Sequence, residues 1–150
     1  MTKLIQITAE YDGAADAVFA QAMRLSDLRA TTRTADAPES EGEIAEGQTY
    51  QTDIALRSGL TIRGHQIKVE RLDPVRRQMQ LHEDNSQVRR WDRLISVQPL
   101  RVGAVWVDRV ILDAGWRTGL VARLVAQVYA QQHARRAAQS IRSKITDLPA

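Results

Sequence analysis

Residues Leu4–Tyr11 alternate, with Ile5, Ile7, Ala9 and Tyr11 on one side and Gln6, Thr8 and Glu10 on the other, the period-two pattern of a half-buried strand. Asp12-Gly13 ends it. From Ala14 to about Thr31 the apolar positions Ala15, Val18, Phe19, Ala22, Met23, Leu25 and Leu28 take helical spacing, which predicts two short helices broken near Ser26-Asp27. Asp36–Glu46 then carries five acids and no base, the composition of a solvated loop. Strand-like segments follow at 48–57, 61–72, 77–83, 88–98 and 104–113. Between them stand turn signals at Ser58-Gly59, Asp73-Pro74, Asp84-Asn85-Ser86 and Pro99–Gly103, and Gly115 closes the last strand. Connections this short permit only antiparallel neighbours, so the pattern predicts a meander.

Trp116 to about Ile145 contains no Pro and is rich in helix formers, which predicts one long terminal helix before Asp147-Leu148-Pro149. Val121, Leu124, Val125 and Val128 form one stripe of it, but the stripe continues into Gln132 and Arg135, while Ala134, Ala138, Ile141 and Ile145 lie on another side. Either the two ends of the helix pack on different neighbours, or polar groups midway face an internal space. A strand, two short helices, a meander and a long terminal helix describe an α+β domain in which a curved sheet wraps a helix. Without repeats or a linker, residues 1–150 form a single domain.

Composition narrows the chemistry. At 150 residues and 43% hydrophobic content, folding buries roughly 68–70% of the unfolded surface without help from disulfides or a metal. The absence of Cys excludes thiol catalysis, iron–sulfur clusters and Cys-based zinc sites. No apolar run approaches the ~18 residues of a membrane span and no signal-peptide core follows Met1, so a cytoplasmic location is expected. The net charge of +3 divides into −6 over residues 1–53 and +9 over residues 54–150. The basic residues are 18 Arg against 3 Lys, in pairs scattered among acids and without interleaved aromatics, so nucleic acid is not an expected partner. An aromatic content of only 5% fits a hollow interior better than a packed one.

Two regions, the second in two segments, carry a resemblance. One is ITAEYDGAADAVFAQAMRLSDL at Ile7–Leu28, with its Val18-Phe19 pair; the other is VRRWDRLISVQPLRVGAVWVDRVILDAG at Val88–Gly115, followed by VYAQQHARRAAQSI at Val128–Ile141. In these and in element order, the chain resembles the START-like, or SRPBCC, superfamily of polyketide cyclase/dehydrase and lipid-transport proteins along essentially its whole length. The resemblance implies a helix-grip fold: a curved antiparallel sheet of about six or seven strands wrapped around a long C-terminal helix, with two short helices after the first strand. It also implies a cavity between sheet and helix that binds a hydrophobic or aromatic small molecule, lipid-, polyketide- or quinone-like. Some members cyclise or dehydrate a substrate there and others only carry a ligand. Where some relatives have a His shortly after the Trp, this chain reads Trp91-Asp92-Arg93-Leu94, and no catalytic residue is carried over.

Strand parity supplies a test that does not depend on the family, since residues in phase with the apolar positions face inward unless a bulge intervenes. The inward set is Tyr11; Tyr50, Thr52, Ile54 and Leu56; Arg63, His65, Ile67 and Val69; Met79, Leu81 and Glu83; Trp91, Arg93, Ile95 and Val97; and Trp106, Asp108, Val110 and Leu112. Arg63, His65, Glu83, Arg93 and Asp108 are its ionisable members, and Tyr50, Trp91 and Trp106 can stack on a flat ligand. These eight are the candidate cavity residues. Buried charges must pair with each other, with a ligand or with water. In the functional reading they orient a ligand oxygen, with His65 or Glu83 as acid or base and Arg63 or Arg93 holding an enolate-like oxygen. In the structural reading, bulges turn several outward, or Arg93 and Asp108 simply pair. Trp116 marks either a rim or a staple at the helix entrance.

His65, His82 and His133 lack metal-ligand spacing, and neither a phosphate loop nor a dinucleotide fingerprint is present, so no metal and no cofactor is expected. The expected partner is a small hydrophobic or aromatic ligand, with a homodimer left open. Three functions follow: non-catalytic ligand binding; an aromatase/cyclase in which His65, Glu83, Arg63 and Arg93 converge; or a ligand-free interaction module that uses the acidic loop and basic surface.

Overall fold

A computed structural model describes residues 1–29, 42–55, 59 and 61–149. The alternating segments become strands β1 (Lys3–Tyr11), β2 (Thr49–Ala55), β3 (Thr61–Asp73), β4 (Gln78–Asp84), β5 (Arg90–Pro99), β6 (Ala104–Asp113) and β7 (Ser140–Asp147). The helices are α1 (Ala15–Ala22), α2 (Leu25–Arg29) and α3 (Thr118–Arg135), the last entered through a 3-10 turn at Gly115–Arg117. The described strands form one antiparallel sheet in the order β2-β3-β4-β5-β6-β1-β7. Helix α3 lies on β1, β6 and β7, and α1 on β5 and β6. One face of the sheet is therefore covered by helices, and the core fills the space between. No described helix is long and apolar enough to cross a membrane.

The terminal helix differs from expectation. It ends at Arg135, and the chain returns as β7, antiparallel to β1 from Lys3↔Asp147 to Glu10↔Ser140. The reversal is a closed C-cap: Ala137 adopts φ +62°, and the Ala138 N–H donates to the His133 carbonyl at 3.2 Å. The displaced stripe of Ile141 and Ile145 is thus the start of a second, period-two element. At 18 residues α3 is about 27 Å long. Ala137 supplies a direct prediction. Left-handed backbone costs an L residue about 1–2 kcal/mol, part of which glycine gives back through its freer unfolded state. Ala137→Gly is therefore expected to stabilise the fold by about 0.5–1 kcal/mol, raising the urea midpoint at constant slope; an unchanged or lower midpoint counts against this cap.

Two further departures come from long-range pairing and from a bulge. The break between α1 and α2 falls at Met23-Arg24 rather than Ser26-Asp27, because residues near the end of the acidic loop pair there: Ile44 N–H donates to the Met23 carbonyl at 2.9 Å, and the Arg24 backbone forms an isolated antiparallel β-bridge with Glu43. On β3, Arg63 is exposed, which corrects its inward assignment. The β2–β3 register jumps from Thr52↔His65 to Ile54↔Ile62, and Gly64 sits in the bulge at φ +67° with its N–H donating to Asp53 Oδ1 at 2.9 Å. The extra residue reverses parity across the bulge, so Ile62 and His65 both point in and Arg63 points out. Expectations for Leu56, for Ser58 and for residues 30–41 lie outside the described residues.

Candidate functional site

Every other described member of the inward set is buried, apart from half-buried Tyr50, whose hydroxyl accepts the Ala45 N–H at 3.0 Å. The polar members form two clusters. In the first, His65 on β3 meets Glu83 on β4, with Nε2 to Oε2 at 2.5 Å. The tautomer follows from Asn85. Its Oδ1 accepts the Gln87 N–H at 2.8 Å, which turns Nδ2 toward His65 Nδ1 at 2.9 Å. An amide nitrogen donates, so Nδ1 accepts and the His65 proton on Nε2 goes to Glu83. Trp91, opposite Glu83 on β5, lies 4.9 Å from the His65 ring and donates its indole N–H to the Tyr129 hydroxyl on α3 at 3.2 Å.

The second cluster centres on Asp108 of β6, which is fully buried. Arg93 of β5 donates to its Oδ1 from Nε at 3.0 Å and Nη2 at 2.7 Å, and His133 of α3 donates from Nε2 to Oδ2 at 2.7 Å. With its Nε2 proton committed to a carboxylate that only accepts, His133 receives the Tyr11 hydroxyl at Nδ1, 2.6 Å away. Arg136 binds both oxygens of Asp27 on α2 at 2.6 Å and stacks 4.5 Å over the Trp106 ring. Arg93 lies 4.2 Å over the Tyr129 ring and so joins the two clusters.

Electrostatics follow from this geometry. Burial alone pushes the Asp108 carboxyl up, but the Arg93 guanidinium and the His133 hydrogen bond hold it well below its ordinary 3.8. Burial likewise works against the Arg93 charge, and Asp108 more than offsets it. The Tyr11 hydroxyl is pushed up from 10.0 to about 12, chiefly by burial, with Arg136 acting the other way. Burial and then the Glu83 carboxylate raise the Tyr129 hydroxyl. Chemically, Tyr11, His133 and Asp108 form a continuous hydrogen-bonded chain in which Asp108 orients the imidazole. Three buried polar atoms have no hydrogen-bond partner among the described residues: Glu83 Oε1, Trp106 Nε1 and Gln132 Oε1.

Of the candidate residues, the structure brings together His65, Glu83, Trp91, Arg93, Trp106 and Asp108 and leaves out Tyr50 and Arg63; without Arg63 the four-residue convergence expected of a cyclase is not formed. Trp116 stands 91% exposed, away from the network. His82 is on the outer face, with Nδ1 2.7 Å from Asp92, whose carboxyl is lowered despite partial burial by hydrogen bonds from His82 and Arg90. No metal-binding group of acids and histidines occurs among the described residues. Tyr129, Gln132, His133 and Arg136 were not among the candidates, although their i, i+3, i+4, i+7 spacing puts them on one helix face. The apolar stripe running into Gln132 was the signal for them.

No family model matches the chain, and no curated protein matches it. Solved structures do. Norcoclaurine synthase from Thalictrum flavum superposes with a TM-score of 0.63 at 16% identity, over 91% of this chain and 87% of that one. Ara h 8.0201 gives 0.62 at 9% identity, over 90% and 97%. CalU16 from Micromonospora echinospora gives 0.56 at 14% identity, over 90% and 74%. At these identities the likeness speaks for architecture alone, and with the sheet order and α3 packed on β1, β6 and β7 it establishes a helix-grip fold for this chain.

Proposed function

We propose that the chain is a START-like domain that binds a hydrophobic or aromatic small molecule, lipid-, polyketide- or quinone-like, between the sheet and α3. The observation that carries this reading is the set of unpartnered polar atoms, Glu83 Oε1 on β4, Trp106 Nε1 on β6 and Gln132 Oε1 on α3. They belong to both walls of one interface, whose other buried polar side chains pair with one another and whose remaining lining is apolar. Buried polar atoms in folded proteins find partners, and an apolar molecule with a few polar atoms supplies them without adding charge. Carriage is favoured over cyclase chemistry because Arg63 faces outward and Arg93 is committed to Asp108.

The test is native mass spectrometry of the purified chain, beside the same sample denatured. A small-molecule mass that adds to the native chain and leaves on denaturation is the expected result. A chain that flies bare and shows no thermal shift with a long-chain fatty acid, a naphthoquinone or a naphthol overturns the reading.

A further inference from the structure

We infer that the polar end of the ligand is a hydroxyl group, held between the Glu83 carboxylate and the Tyr129 hydroxyl. The inference rests on the proposed function and names the chemical class the site accepts. Glu83 Oε2 is committed to His65 Nε2, whose proton is placed there by Asn85, itself fixed by the Gln87 N–H. Oε1 therefore needs a donor, and it has none among the described residues at 4% exposure of Glu83. The Tyr129 oxygen already accepts from Trp91, so its remaining need is an acceptor for its own proton, and no described residue accepts it. Trp91 is both the cross-strand neighbour of Glu83 and the donor to Tyr129, which places the two openings in one corner.

Elimination narrows the group that fills it. An ammonium donates to Glu83 but has no lone pair for Tyr129, and a ketone accepts from Tyr129 but leaves Glu83 without a donor. A carboxylate meets the like charge of Glu83 at close range. An alcohol or phenol both donates and accepts. Around the corner, Ile54, Ile62, Val88 and Val125 belong to the same buried cluster as Trp91 and Tyr129, so the body of the molecule is apolar.

The experiment compares 2-naphthol with 2-methoxynaphthalene, which keeps the ring and the acceptor oxygen but cannot donate, and with naphthalene, using calorimetry on the full chain. 2-Naphthol is expected to bind at least about tenfold more tightly than either. Glu83→Gln is expected to shrink that preference to within about threefold, and Tyr129→Phe serves as a second variant should the first fail to fold. Equal binding of 2-naphthol and its methyl ether overturns the hydroxyl while leaving small-molecule binding intact. If none of the three binds, the molecule retained in native mass spectrometry decides: a hydroxyl on it supports the inference and its absence overturns it. A bare chain with no probe bound removes both readings.

Discussion

Asp108→Ala is expected to lower the free energy of unfolding by about 3–5 kcal/mol, because it strands the Arg93 guanidinium in the interior. Arg93 is 6% exposed, and its Nε and Nη2 both donate to Asp108, so removal of the carboxylate leaves the face of Tyr129 as its nearest compensation. His133 loses its Nε2 acceptor in the same step. The cost belongs to the broken pair, not to the net value of the pair: apolar replacements of similar volume for a whole buried ion network are often neutral or stabilising. The combination Arg93→Met, Asp108→Leu, His133→Leu and Tyr11→Phe is therefore expected to recover most of the loss. Guanidinium unfolding of both variants makes the comparison, and a loss below about 1 kcal/mol for Asp108→Ala sinks Asp108 as the hub. Acid behaviour checks the same point. Asp108 in the fold lies below its ordinary 3.8, so its contribution is complete above that pH. As pH falls below it, the unfolded chain takes up the proton first and stability declines toward the lower folded value. Asp108→Ala should lose this acid limb.

What was legible before the structure divides by the range of the interaction. Period-two alternation is local, and it put His65, Glu83, Trp91, Arg93, Trp106 and Asp108 on one face with no knowledge of the fold. Arg63 failed because one left-handed residue reverses parity. Gly64, alone inside a strand, advertised the freedom to bulge, but whether Arg63 or Ile62 would turn outward depended on Asp53 across the β2–β3 pair. The boundary between α3 and β7 was hidden for a different reason. Helix propensity runs unbroken through Arg135-Arg136-Ala137-Ala138, and the turn is made by an Ala at φ +62° where a Gly would have been visible. What ends the helix is β1, which offers a free edge to Ser140–Asp147. His133 and Tyr11 are separated by 122 positions, and nothing near either residue announces the other. The polar helix face was readable from spacing, but its meaning lay in Asp108.

Gly103→Ala is expected to cost about 2–5 kcal/mol, the sum of left-handed strain and a backbone collision. Gly103 ends the β5–β6 turn at φ +83°, where its carbonyl accepts the Leu100 N–H at 3.0 Å. A Cβ there falls 2.1 Å from the Tyr11 carbonyl oxygen and 3.3 Å from Asp12 Cα. Neither atom belongs to a flexible side chain, and Tyr11 is pinned by its register with Ala104. Gly47→Ala separates the two effects, since Gly47 has φ +82° but open space where its Cβ would stand. It should cost only about 1–2 kcal/mol. Equal losses in the two variants would show that the close approach at Gly103 is without energetic weight. The collision also reaches the site. In the intact chain the Tyr11 hydroxyl is held up to about 12 from 10.0, so its contribution to stability is complete below pH 10 and is lost as pH rises toward 12. Displacing the Tyr11 backbone lengthens its bond to His133 and admits water, which moves the hydroxyl back toward 10. The alkaline loss of stability should therefore shrink in Gly103→Ala and stay at full size in Gly47→Ala, measured as denaturant midpoints between pH 9 and 12.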